Sequence, residues 1–171
     1  KLRPIASGDV SFTAARILII LLAAAGLSLS WWIDPNFFYL LFVYLIINIA
    51  YSLGAKNISI LDIFFVASGF LIRIYAGGVL ADVPVSHWLA IMVLLLSLFL
   101  ALAKRRDDLV ISVNGVAARK SSQHYNLEFI NSCLSVFAGI LIVAYVMYTV
   151  SPEVTDHFDT KWLFLTSMFV I

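Results

Sequence analysis

SHWLAIMVLLLSLFLALAKRRDD, Ser86 to Asp108, stays free of charge as far as Ala103 and then closes on Lys104, Arg105, Arg106, Asp107 and Asp108. An apolar run of about 18 to 25 residues is long enough to cross the hydrocarbon core of a bilayer. The span is therefore read as 86–103, with the five charges at its mouth. So many charges in one place exceed what anchoring a helix end requires.

Similar runs lie on both sides of it, at 12–31, 36–53, 62–81 and 127–150. A sixth starts near Trp162 and reaches Ile171. Ten helical residues rise only about 15 Å, so 162–171 cannot cross alone. The chain opens without Met, inside what reads as an inner loop, and is expected to be a piece of a longer protein. Hydrophobic residues make up 63% and charged residues 12%, whereas soluble domains hold closer to half and a quarter. The expected fold is all-α: a polytopic transmembrane helix bundle forming one domain over residues 1–171. Cys133 is the only cysteine, which excludes an internal disulfide and matches no metal-ligand spacing. His87, His124 and His157 are isolated, and neither a P-loop, GxSxG nor HExxH is present.

Assigning alternate loops to opposite sides collects Lys1, Arg3, Arg16, Lys56, Lys104, Arg105, Arg106, Arg119 and Lys120 on one side. The other side holds Asp34, Asp82, Glu153, Asp156, Asp159 and Lys161. Positive loops stay in the cytoplasm, which puts the basic side inward. Trp31, Trp32, Trp88 and Trp162 then fall at the outer ends of spans, where interfacial aromatics belong.

Charges within a span are rare and usually functional. Asp62, Gly69 and Arg73 are spaced by seven and four, which places Gly69 and Arg73 each within about 20° of Asp62 on one helix face. Arg73 lies about 16 Å deeper than Asp62. It needs either an acidic partner on a neighbouring span or a water-filled cavity, and both readings stand. Glu128, Asn131 and Ser135 form a second stripe, for which helix-to-helix hydrogen bonding competes with ligand contact. Cations meeting at one mouth attract phosphate. The adjacent Asp107 and Asp108 offer oxygens for Mg²⁺, which binds through one or two carboxylates plus substrate phosphates. The competing reading is that basic loops only satisfy the orientation rule or hold anionic lipid.

KLRPIASGDVS, from Lys1, resembles the segment after the first Asp-rich motif of the UbiA superfamily of prenyltransferases. YSLGAKNISILDIFFVASGFLIRIYAGGVLADVPVS, Tyr51 to Ser86, is similar to its decaprenyl-phosphate phosphoribosyltransferase branch, as are LFLALAKRRDDL and RKSSQHYNLEFIN. The resemblance implies about nine helices around a cavity open to the cytoplasm, with six spans visible here. It implies an Mg²⁺-dependent enzyme of the bacterial inner membrane that moves 5-phosphoribose from phosphoribosyl pyrophosphate to a polyprenyl phosphate and releases pyrophosphate. The product would feed cell-wall biosynthesis. Nucleic acid is not an expected partner, and a homo-oligomer is left open.

On this resemblance Lys56, Arg73 and Asp62 are the catalytic candidates. Arg3, Tyr51, Lys104, Arg105, Arg106 and Asn131 bind substrate, with Tyr51 and Lys56 matching the family's Tyr/Lys motif. Asp107 and Asp108 stand where the superfamily carries its second Asp-rich motif, but DxxxD spacing is absent. The first such motif would precede Lys1. Two other readings remain: prenyl transfer from a polyprenyl diphosphate to an aromatic or small acceptor, and a non-catalytic lipid-binding or transport subunit.

Overall fold

The computed structural model describes residues 11–113, 126–158 and 162–169, and among these the regular structure is entirely helical. The chain divides into two compact units, Lys1–Val43 and Tyr44–Ile171.

In the first unit, α1 (Phe12–Ile33) starts at Ser11, whose Oγ accepts from the Ala14 amide at 3.2 Å. Asp34 ends α1 and begins α2 (Pro35–Leu53). Its Oδ1 accepts from the amides of Asn36 (2.7 Å) and Phe37 (3.0 Å). An aspartate cap with proline at the first helical position is a favoured helix start. Trp31 meets Phe38 edge-on at 5.2 Å across this turn.

The second unit takes in the end of α2, a 3-10 turn (Ala55–Asn57), α3 (Leu61–Ala81), α4 (His87–Val113), α5 (Leu127–Val150), α6 (Pro152–Phe158) and a 3-10 segment, Trp162–Phe169. Ile63 and Ala67 of α3, Leu98 and Leu102 of α4 and Ile130 of α5 form its buried core. Cys133 packs against this core as a half-buried free thiol. Asn126 caps α5 by accepting the Glu128 amide at 3.0 Å, and Glu128 suits the positive helix start.

Burial is inverted relative to a soluble protein. Asp62, Arg105 and Ser97 are buried, while Ile17, Ile20, Phe64, Leu100 and Val143 are exposed. A helix that must face hydrocarbon turns its apolar side outward and hides its polar groups. Five helices, Phe12–Ile33, Pro35–Leu53, Leu61–Ala81, His87–Ile111 and Leu127–Val150, are long and apolar enough to cross a membrane. The chain is a multi-pass membrane protein. The sixth expected segment is eight residues of 3-10 helix and does not cross.

One boundary differs clearly from the sequence reading. The span placed at 86–103 continues as helix to Val113, so Lys104–Asp108 are helical and not part of a loop. Arg105 and Asp108, one turn apart, bond each other, which supports the continued helix. At 27 residues, α4 is about 40 Å long, more than a hydrocarbon core needs.

The turn after α3 is tight. Asp82 adopts the left-handed conformation (φ 53°) and the Val83 amide donates back to the Gly78 carbonyl at 2.9 Å. A Cβ on Gly78 would lie 2.8 Å from the Val83 carbonyl oxygen and 2.7 Å from Val85 Cγ2. Gly78→Ala is expected to destabilise the protein by about 1–3 kcal/mol through overpacking, measured by thermal unfolding in detergent. An unchanged melt would show that this turn relaxes freely.

Candidate active site

Antiparallel succession brings the end of α2, the start of α3, the end of α4 and the start of α5 to one end of the second unit. This end carries Lys56, Lys104, Arg105 and Arg106; the opposite end carries Asp82, Glu153 and Asp156.

At the basic end, Arg105 Nε donates to Asp62 Oδ2 at 2.6 Å, with side-chain exposures of 4% and 0%. Its NH1 donates to Asp108 Oδ2 at 3.0 Å. Arg106, next in sequence, points to α5, where its Nε donates to Asn131 Oδ1 at 2.8 Å. Neighbouring arginines on one helix thus tie α4 to two different helices. The separation of about 100° per residue makes this possible. Asp62, expected to be catalytic, is fully buried and accepts from Arg105. Arg106 and Asn131, expected to bind substrate, pair with each other on an exposed face.

Lys56 lies half-buried in the 3-10 turn between α2 and α3. Lys104 is exposed. The connection from Lys56 to α3 passes through Ile60 at φ 71° and ψ −51°, a conformation that β-branched residues rarely adopt. Strain of this kind is held only where surrounding structure fixes the backbone.

Deeper in the unit, α2 and α3 flank an open cavity of 160 Å³ lined by Tyr44, Asn48, Tyr51, Gly69, Phe70 and the exposed Arg73, among others. Arg73 NH2 donates to the Tyr44 hydroxyl at 2.5 Å. The guanidinium carbon stands 5.2 Å from the centroids of both the Tyr44 and Phe70 rings. Gly69 lets the Tyr44 ring approach: a Cβ there would touch Tyr44 Cε2 at 3.5 Å. Among the described residues the partners of Arg73 are the Tyr44 hydroxyl and the Tyr44 and Phe70 ring faces, and no carboxylate lies within ion-pair distance.

Asp62, Gly69 and Arg73 share a face, as their spacing requires, yet they meet different helices. Packed helices cross at an angle, so one face meets α4 at its start and α2 further along. The cavity that holds Arg73 and Tyr51 is not lined by Lys56 or by Lys104–Arg106. Arg73 and Tyr51 thus line a cavity apart from the cations of the basic end. Tyr44 and Asn48 were missed in the sequence. Their signal was there: Tyr44, Asn48 and Tyr51, spaced four and three, form a polar stripe on an otherwise apolar helix.

Asp107 and Asp108, expected to share a metal, leave the helix about 100° apart, and Asp108 faces Arg105. Among the described residues no three His, Cys, Asp or Glu side chains gather as a metal centre. These residues do not fit a resident magnesium site by themselves. Arg3 lies outside the described residues.

The profile of the UbiA prenyltransferase family matches residues 1–170. A decaprenyl-phosphate phosphoribosyltransferase of Mycolicibacterium smegmatis is 36% identical over 97% of this chain and 54% of its own length. One of the same name from Mycobacterium tuberculosis is 30% identical over 98% of this chain and 55% of its own. The chain spans about half the length of these curated relatives. A solved UbiA homolog from Archaeoglobus fulgidus, bound to Cd²⁺, superposes with a TM-score of 0.78 at 16% identity, covering 99% of this chain and 64% of that one. Buried charges inside an outward-apolar helical unit, this shared fold and the nearly full-length profile match agree: the chain belongs to the UbiA prenyltransferase family.

Proposed function

We propose that this chain forms part of an integral membrane glycosyltransferase that moves 5-phosphoribose from phosphoribosyl pyrophosphate to a polyprenyl phosphate. The observation that carries this reading is the 36% identity, over 97% of the chain, to a protein named for that class of transfer. Cations at two depths, Lys56 at the basic end and Arg73 within the span, supply charge for two polyanionic substrates. The enzyme lies in a bacterial inner membrane with its basic end in the cytoplasm, an orientation that the charge asymmetry supports.

In the reaction the anomeric carbon–oxygen bond to pyrophosphate breaks and the leaving group takes the electron pair. A lipid phosphate oxygen forms the new bond from the opposite face, giving inversion. The nucleophile is already ionised at neutral pH, so the site needs placed positive charge more than a strong base. Lys56 neutralises the leaving pyrophosphate as a point charge. Magnesium bound with the donor would add positive charge against the leaving pyrophosphate. The Asp62–Arg105 pair fixes the start of α3 against α4, and with it the turn that bears Lys56.

Full-length protein in lipid, given phosphoribosyl pyrophosphate labelled in the ribose and a polyprenyl phosphate, is expected to move label into the lipid phase with equimolar pyrophosphate. Label that stays in water would reject the reading. Prenylation of an aromatic acceptor from a polyprenyl diphosphate would install the other activity of the family in its place.

A further inference from the structure

The backbone of Arg73 lies about 16 Å further along α3 than that of Asp62, inside a span of mean hydropathy 1.9. Arginine stays charged at any accessible pH. Among the described residues it has no carboxylate within ion-pair distance. Tyr44 and Phe70 cover it with ring faces, and one of its five N–H donors goes to the Tyr44 hydroxyl. That hydroxyl accepts from Arg73 and so keeps its own proton to donate. The Asn48 amide gives one N–H to the Tyr44 carbonyl at 2.7 Å and has a second. A fixed cation, a phenol O–H and an amide N–H on one cavity form a donor set with no anion to receive it.

We infer that the cavity bounded by Tyr44, Asn48 and Arg73 receives a single phosphate group, the head group of the lipid acceptor. This rests on the proposed function for the identity of that lipid. Size suits a small head group: 160 Å³ is below the roughly 300 Å³ at which sites for drug-sized ligands begin. The walls support the lipid source, because Ile47, Phe65, Val66 and Phe70 give an attached chain apolar surface at the same depth. The soluble donor keeps the basic end. Tyr44 is a positioning residue: it holds Arg73 in a single orientation and completes the contact to the anion.

The test uses the full-length protein in nanodiscs and the variants Tyr44→Phe and Arg73→Gln. Binding of labelled polyprenyl phosphate without donor is compared with binding of inorganic phosphate. Losing one donor to a charged group predicts roughly tenfold weaker lipid binding for Tyr44→Phe and more for Arg73→Gln. In turnover, KM for the lipid rises by a similar factor in Tyr44→Phe while KM for the soluble donor stays within about twofold. Equal effects on both KM values, or an effect on inorganic phosphate alone, would assign the cavity to a soluble anion and overturn the inference. Unchanged lipid binding in both variants would overturn it outright. If the wild type transfers no phosphoribose yet its lipid binding falls in the variants, the reaction assignment fails and the site stands. Arg73→Lys, which keeps the charge, is expected to recover part of the binding and separates loss of an anion contact from misfolding.

Discussion

Arg105→Met is expected to destabilise the full-length protein by about 3–5 kcal/mol, because it removes the cation that faces the Asp62 carboxylate where no solvent reaches it. The pair lies between two long helices, α3 and α4. Asp62→Leu strands the guanidinium less severely, since Asp108 still accepts from Arg105 NH1. Removing both charges together, as Asp62→Leu with Arg105→Met, is expected to return stability to within about 1–2 kcal/mol of wild type, since an apolar pair of similar volume often replaces a buried ion pair. Unfolding in detergent, followed by heat or denaturant, measures all three. A double variant as unstable as the two single losses added together would mean that the pair is not what joins α3 to α4.

Lys56→Ala is expected to lower phosphoribosyl transfer by about 10²–10³-fold, the usual cost of losing one placed charge at a reacting group. Stability should stay within about 0.5 kcal/mol of wild type, since Lys56 is only half-buried and leaves no charge stranded when removed. Arg105, near the same end, differs in that it joins two helices, so its loss is expected to be read in stability. Turnover in the purified variant, normalised to folded protein, decides it. Full activity would remove Lys56 from the phosphate site.

Much of the architecture could be read from hydropathy alone. The starts and ends of α2, α3 and α5 fall within a residue of the expected spans, because proline, glycine and capping residues punctuate them. The end of α4 could not be read that way. A hydropathy break at Lys104 marks where the membrane stops, while the helix continues on intrahelical hydrogen bonds and the Arg105–Asp108 pair. For the site, spacing correctly placed Asp62, Gly69 and Arg73 on one face. It could not say which neighbour each would meet, since that depends on helix crossing. Arg105 and Arg106 looked equivalent as adjacent cations, yet one is buried against α3 and the other reaches Asn131 on α5. Tyr44 was hidden by its chemistry: a tyrosine in an apolar helix reads as packing until a guanidinium is found on its oxygen.

The Asp62–Arg105 contact also bears on how the chain is made. An arginine at the bilayer centre costs about 2.5–3.5 kcal/mol, and Arg73 stands well inside α3, whereas Asp62 stands in its first turn at the basic end. In a chain made from its N-terminus, Tyr44 precedes Arg73, while Arg105 follows Asp62 by 43 residues. The deep polar contact of α3 can therefore form before the shallow one.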